Sequence, residues 1–336
     1  MYIFSAIGER ISYDIEELKE GGYIMLVSGS FNKIIWLVRL DADGNPVWIK
    51  QFNEVNFDDI YNAYDIYPVS DGGFVIAGTA FLKGRSTSYE IWVAKMDASG
   101  NIVWQRTYAY DDSMIGRNII ETNNKGFLVS GRAIGNRLVL IKIDAFGNFQ
   151  WQKMTEGYEF EPFDILMQAT KDGVAIISSQ IINGNEKDGF IMKVSADGEI
   201  EWSKLYDYQY YDRFYMIIQT NAGGYAVAGY TKELDKYAKV WVMKLDSTGD
   251  IDPSCPVVEN ITLTLSSVTP KLKNSTANAS ELTWFILHPL LIPQDILANI
   301  EEQCLWGYIF FATLHDAKPM VDDSSSPMPN TIIEPD

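Results

Sequence analysis

Acidic and aromatic side chains share the loops of an internal repeat, and they are the residues of this chain best suited to hold a ligand. The candidates are Asp59, Asp112, Glu159, Tyr210, Tyr211 and Asp212. Tyrosine rings stack on the CH faces of sugars, and carboxylates accept hydrogen bonds from sugar hydroxyls. The pattern favours a surface that binds a glycan or a protein. Solvated loops with scattered aromatic residues are the alternative interpretation.

The same carboxylates are also candidates for glycoside hydrolysis. That reaction needs two carboxyl groups roughly 5–9.5 Å apart across the scissile bond. Four of the six candidates are carboxylates, and their partial recurrence with the repeat favours a structural role. We therefore expect a non-catalytic binding or scaffold module. A glycoside hydrolase and a subunit of a surface assembly or filament stay open as alternatives.

The residue types of this chain offer few ligands for a metal ion or a cofactor. The chain has two histidines and two cysteines, Cys255 and Cys304, too few for a zinc site or a Cys/His nucleophile. The two cysteines are expected to form a disulfide or to remain two buried thiols. Asp41-Ala-Asp-Gly-Asn45 resembles the start of a calcium loop but lacks the later Glu, and turn chemistry explains it. We expect no cofactor and no metal.

The net charge of −18 and the pI of about 4.5 argue against a nucleic-acid partner, because an acidic surface repels phosphates. No segment is apolar enough for a membrane span, and residues 1–8 lack the features of a secretory signal. Three glycosylation sequons begin at Asn260, Asn274 and Asn278. They favour an extracellular or cell-surface protein, with a cytoplasmic location as the alternative.

Two sequence markers repeat five times along residues 1–250. The first is a turn that ends in Gly before an apolar run, with the Gly at positions 22, 73, 126, 173 and 224. The second is an acidic turn that leads to a Trp, as in Asp97-Ala-Ser-Gly-Asn-Ile-Val-Trp104. Four of the five copies reach the Trp, which we interpret as a structural anchor. We interpret the basic residue two positions before each acidic turn as a structural ion-pair partner or a snorkelled side chain, with a ring of cations that lines a channel as the alternative.

Each repeat contains four short strands, and this predicts an all-β, five-bladed β-propeller of four-stranded blades. The fifth copy lacks its Trp-bearing strand, and Met1–Ile7 lies in register with that strand. We therefore expect the N-terminal strand to complete the last blade, because closure removes two exposed edges. The register also predicts that a Trp-bearing segment precedes Met1.

The unit from Gly72 to Trp104, Gly-Gly-Phe-Val-Ile-Ala-Gly … Ile-Trp-Val-Ala-Lys-Met-Asp-Ala-Ser-Gly-Asn-Ile-Val-Trp, resembles the propeller repeats called SBBP or delta-60 type. More distantly, it resembles the Trp-docking repeats of quinoprotein-like propellers. The resemblance covers about residues 1–250 and implies the propeller fold. These repeats occur in many large and often cell-surface proteins, so the resemblance implies no particular chemistry.

The rest of the chain does not repeat. We divide the sequence into a propeller over residues 1–256, an extension over 257–320 and a disordered tail over 321–336. The extension is predicted to contain a strand over 261–268 and a helix over 294–314. Self-association through this extension is a further expectation.

Overall fold

The computed structural model describes residues 11–28, 35–52, 60–81, 89–109, 113–161, 165–171, 175–183, 186–208, 210–234, 237–251, 258–267 and 271–274. These residues form an all-β structure of antiparallel sheets with no helix among them. The chain divides into two compact units, Met1–Phe285 and Ile286–Asp336. The second unit, with the predicted helix and the predicted disordered tail, lies outside the described residues.

Each of the first three repeats forms four antiparallel strands in chain order. The first consists of β1 (Ile11–Glu17), β2 (Tyr23–Ser28), β3 (Ile35–Leu40) and β4 (Pro46–Phe52). The second consists of β5 (Ile60–Pro68), β6 (Phe74–Phe81), β7 (Tyr89–Met96) and β8 (Ile102–Ala109). The third consists of β9 (Met114–Glu121), β10 (Phe127–Ala133), β11 (Arg137–Ile143) and β12 (Phe149–Glu156).

The fourth and fifth repeats share one sheet. The fourth contains β13 (Glu159–Phe160), β14 (Leu166–Ala169), β15 (Ala175–Asn183), β16 (Glu186–Val194) and β17 (Ile200–Tyr206). The fifth contains β18 (Tyr211–Gln219), β19 (Tyr225–Lys232) and β20 (Lys239–Leu245). A parallel pairing of Lys187 in β16 with Tyr211 in β18 joins the two repeats.

Short strands of the extension cover the outer edges of three sheets. They are β21 (Val258–Asn260), β22 (Thr264–Ser267) and β23 (Lys271–Asn274), which pair with β17, β12 and β8 respectively. The strand predicted over 261–268 is thus β22, with shorter bounds. The three strands therefore pair with the sheets of the fourth, third and second repeats in that order, and they cover edges that would otherwise present free backbone groups.

The recurring acidic turn is closed by its own carboxylate. Asp97 accepts backbone hydrogen bonds from Ser99 (2.9 Å) and Asn101 (2.8 Å), and the Asn101 amide donates to its second oxygen at 2.9 Å. Burial opposes ionisation of this group, but these hydrogen bonds outweigh it and lower the pKa of Asp97. The same bonds recur at Asp41 and Asp144. These hydrogen bonds account for an Asp at the first position of the turn and, in these three copies, for the Asn four positions later.

A Trp from one sheet packs on the turn glycine of the next sheet. A Cβ added to Gly147 would lie 2.8 Å from the Trp104 ring, and Trp104 Nε1 donates to Ala145 O at 3.0 Å. The Tyr108 hydroxyl donates to Gly147 O at 2.7 Å. The other pairs of this kind are Trp48 with Gly100, Trp151 with Gly198 and Trp202 with Gly249. The tryptophans therefore lock successive sheets together.

A basic residue two positions after each Trp strengthens the same junction, and sequence reasoning missed it. Lys50 donates to Asn101 Oδ1 at 2.6 Å, and Lys153 donates to Gly198 O at 2.9 Å. Arg106 and Lys204 make the corresponding contacts with the turns of the third and fifth repeats. Three members of the basic series that the sequence did single out, Arg39, Lys95 and Lys142, bond instead to the turn between the first two strands of their own repeat, for example Lys95 to Asp71 at 3.0 Å. Lys193 pairs with Glu201 in the next strand at 3.2 Å.

The first strands of successive repeats stand side by side: β1 contacts β5, β5 contacts β9, β9 contacts β14, and β14 contacts β18. An apolar core fills each space between neighbouring sheets. At the ends of this row the apolar faces are exposed. Val240 and Val242 in β20 are 77% and 70% exposed, whereas the equivalent Ile91 and Val93 in β7 are fully buried.

The opposite end of the row shows the same feature. Ile15 in β1 is 54% exposed, whereas the equivalent Ile66 in β5 is fully buried. The two terminal sheets thus each present an apolar face that the described residues leave uncovered. Within the described part of the chain, no helix is long and apolar enough to cross a membrane.

Candidate functional site

A polar cavity of about 410 Å³ opens where the fourth repeat meets the fifth. Five elements supply its walls: the end of β13, then β15, β16, β18 and β19. The lining residues are Glu161, Gln180, Lys187, Tyr211, Arg213, Tyr230 and Lys232. Every lining side chain is either charged, an amide or a tyrosine, so the cavity suits a ligand rich in hydrogen-bonding groups.

Strand register alternates tyrosines and cations along one wall of this cavity. Tyr211 in β18 lies opposite Lys232 in β19, and Arg213 lies opposite Tyr230. The Arg213 guanidinium also stacks over the Tyr215 ring, with Cζ 4.8 Å from its centroid. Residues directly opposite in an antiparallel pair share one face of the sheet. The wall therefore offers aromatic faces beside hydrogen-bond donors.

The facing wall is held by an ion pair between Lys187 and Glu161. The Lys187 ammonium also lies 5.9 Å from the centroid of the Tyr211 ring. Gln180 is buried, and its amide donates to Asp212 O at 2.5 Å, which ties β15 to β18. These contacts fix the lining side chains before any ligand arrives.

The charge of the cavity is opposite in sign to that of the whole chain. Its lining contains three cations, Lys187, Arg213 and Lys232, and a single carboxylate, Glu161. The chain as a whole has a net charge of −18. Clustered cations create a local positive potential in an otherwise acidic protein, and this potential attracts anionic groups. The arrangement therefore favours a ligand that carries a carboxylate or another anion.

Of the six residues predicted to bind a ligand, the structure brings one into the cavity. Tyr211 lines it, and the Tyr210 ring meets the Tyr211 ring edge to face at 4.7 Å. Glu159 is exposed on β13, two residues before Glu161, and does not line the cavity. Asp212 is fully buried on the other face of β18 and accepts a hydrogen bond from Tyr208 N at 2.7 Å.

Other predicted positions lie outside the described residues. These are Asp59, Asp112, Asn278, Cys255 and Cys304. Among the sequons, Asn260 is exposed in β21, and Asn274 ends β23. Their glycosylation and the disulfide stay predictions.

Sequence reasoning missed the cationic part of the cavity. Lys187, Arg213 and Lys232 fall in segments with no recurring motif, and their spacing along the chain carries no signal. One clue was available at Arg213. It lies two residues after Tyr211 in the same strand, so the two side chains share one face of the sheet.

A second cluster of ionisable groups lies on the first strands. The carboxyl of Asp65 is buried and hydrogen-bonds to that of Asp14; burial above all, then the charge of Asp14, raises the pKa of Asp65 well above its usual range. Burial and the Asp14 charge also raise the pKa of Glu16 to about 7. Asp14 accepts a hydrogen bond from Ile66 N at 3.0 Å, and Asp65 accepts one from Ile119 N at 2.6 Å. Each aspartate thus ties its own first strand to the next.

Neither group of carboxylates provides the geometry of a glycosidase. Asp14 and Asp65 are in direct hydrogen-bond contact, which is closer than the roughly 5–9.5 Å that leaves room for a glycosidic bond. The cavity described above contains one carboxylate, and that group is paired with Lys187. The described lining of the cavity therefore contains no pair of carboxylates between which a glycosidic bond could lie.

No family model matches the chain, and no curated protein matches it. A solved structure from Bacteroides caccae, titled as a protein of unknown function, is similar with a TM-score of 0.47 and 10% identity. The similarity covers 75% of this chain and 82% of that one.

Proposed function

We propose that this chain is a five-bladed β-propeller that acts as a non-catalytic binding module for a glycan. The glycan binds in the cavity between the fourth and fifth repeats. The observation that carries this proposal is the alternation of tyrosines and cations along the cavity wall. The same proposal has three further parts. The protein works at the cell surface or outside the cell, its repeats are of the SBBP or delta-60 type, and it self-associates through the C-terminal extension.

The regular interlock of the sheets supports the propeller. Each Trp–Gly contact joins one repeat to the next, and the first strands stand in a row. A row with apolar faces at both ends gains from closing into a ring, because Val240 and Val242 would then pack against the side that bears Ile15. Closure of this kind gives five blades and agrees with the register of the N-terminal segment.

The chemistry of the cavity supports a glycan over an apolar ligand. Sugars have CH faces that pack on tyrosine rings and hydroxyls that hydrogen-bond to charged side chains. The described lining contains no aliphatic side chain, so an apolar ligand would leave polar groups without partners. The excess of cations favours a glycan that contains uronic acid or another acidic sugar over a neutral one.

Replacement of Tyr211, a lining residue of the cavity, tests the proposal. We expect Tyr211→Ala to weaken binding to an acidic oligosaccharide at least tenfold, about 1.4 kcal/mol, because the stacking face is lost. Glycan-array screening of the purified protein identifies the sugar, and isothermal titration calorimetry with that sugar measures the affinity. The array is run once with calcium and once with a chelator, so that calcium-dependent binding is recognised.

Tyr237→Ala is the matched control, because Tyr237 is 95% exposed and lies outside the cavity. It should bind like the unmodified protein. An array without any specific glycan would contradict the proposal and favour a protein partner. Equal losses in the two variants would show that the cavity is not the binding site.

A further inference from the structure

Three aspartates from different strands meet on the face of β18 that points away from the cavity. Asp188 in β16, Asp207 just after β17 and Asp212 in β18 each bring one carboxylate oxygen to within 4.8 Å of the others. Asp188 and Asp212 are fully buried, and Asp207 is exposed. Carboxylates this close repel one another, and burial adds the loss of hydration. A cation among them would offset both effects.

A buried hydroxyl beside the aspartates is a second and independent sign of a ligand. Thr231 is 3% exposed, and its Oγ1 has no hydrogen-bond partner among the described residues. Thr231 lies directly opposite Asp212 in the β18–β19 ladder, so both side chains are on the same face of the sheet. Buried hydroxyls usually have a partner, and this one shares its face of the sheet with Asp212, where an ion bound by the aspartates would supply the missing contact.

We infer that Asp188, Asp207, Asp212 and Thr231 bind a calcium ion. The four ligands are all oxygens, which suits a hard cation and argues against zinc or copper. Ligand oxygens up to 4.8 Å apart match twice the Ca²⁺–oxygen distance of about 2.4 Å. Calcium tolerates an irregular ligand set better than magnesium does. The exposed Asp207 gives the ion a path from solvent.

The position of the site gives the ion a structural role. Asp188 and Asp212 directly follow Lys187 and Tyr211, the two residues of the parallel pairing between the fourth and fifth repeats. Successive side chains of a strand point to opposite faces, so the ion and the cavity lie on opposite sides of the same strands. Bound calcium therefore clamps the two repeats together at the junction that carries the cavity.

Calcium and terbium titrations of the intact chain test this inference. After EDTA treatment and removal of the chelator, calorimetry with CaCl₂ should show one site with a Kd below about 1 mM. Tb³⁺ in the same site should luminesce on excitation of Trp241, whose ring lies 5.9 Å from that of Tyr208, the neighbour of Asp207. We expect Asp207→Asn to weaken Ca²⁺ binding at least tenfold and Thr231→Val at least threefold. Ca²⁺ should also raise the Tm of the unmodified protein.

Asp197→Asn is the matched control, since it removes one carboxylate from an exposed turn elsewhere in the fourth repeat. Its affinity for Ca²⁺ should stay within twofold of the unmodified protein. The inference is overturned if the unmodified protein shows neither binding heat nor Tb³⁺ emission, or if Asp207→Asn behaves like Asp197→Asn. Displacement of Tb³⁺ by Mg²⁺ as effectively as by Ca²⁺ would overturn the assignment to calcium.

Discussion

Gly147→Ala is expected to lower the free energy of unfolding by about 3 kcal/mol, from backbone strain and overpacking together. Gly147 has a φ of 75°, and an added Cβ would lie 2.8 Å from the Trp104 ring and 2.9 Å from Arg106 Nε. Trp104 cannot withdraw without losing its hydrogen bond to Ala145 O. Urea denaturation followed by tryptophan fluorescence measures the change.

Gly135→Ala separates the backbone strain from the sheet-to-sheet contact. Gly135 has nearly the same φ, 74°, and belongs to the same sheet, but nothing lies within 4 Å of its added Cβ. This variant should lose only about 1–2 kcal/mol, the cost of the left-handed conformation for alanine. If both variants lost the same stability, the Trp104–Gly147 contact would not be the interlock that we describe.

Asp65→Asn is expected to stabilise the protein by about 1–3 kcal/mol at pH 8, because it removes a buried acid beside Asp14 and Glu16. An Asn amide can still donate to Asp14, and its oxygen can still accept from Ile119 N. The third repeat already has an asparagine, Asn118, at the equivalent position. Thermal unfolding at pH 4, 6 and 8 measures the effect.

The pH dependence follows from the raised pKa of Asp65. Below the unfolded pKa of about 4, both states are protonated and the two proteins should differ least. As the pH rises towards the folded pKa, the unfolded state releases its proton first, so the wild type loses stability. Glu16, with its pKa raised to about 7, adds a similar loss between about pH 4.5 and 7 in both proteins, so the difference between them comes from Asp65. The free energy of unfolding of Asp65→Asn should therefore exceed that of the wild type by an amount that increases as the pH rises.

Asp43→Asn makes the same side-chain replacement at an exposed turn position and is the matched control. Its stability should stay within about 0.5 kcal/mol of the wild type at each pH. A stability gain for Asp65→Asn that did not grow with pH would contradict the assignment of a buried, protonated Asp65.

The sequence by itself determined the local structure of this protein. The acidic turn, its glycine and the following Trp lie within eight residues, and the carboxylate of Asp97 closes the turn through groups two and four positions away. Alternating apolar residues then determine the strands, because side chains of a strand point in turn to opposite faces. All-β structure and the repeat were therefore readable from residues close together in the chain.

Only the tertiary structure decided which side chains share a site. Glu161, Lys187 and Lys232 meet in one cavity because the register of β16 on β18 brings the fourth and fifth repeats together. The same register places Tyr211 in the cavity and turns Asp212 to the buried face, although the two are neighbours in sequence. Charge and burial at these positions depend on contacts between distant segments, and local residue patterns carry no information about such contacts.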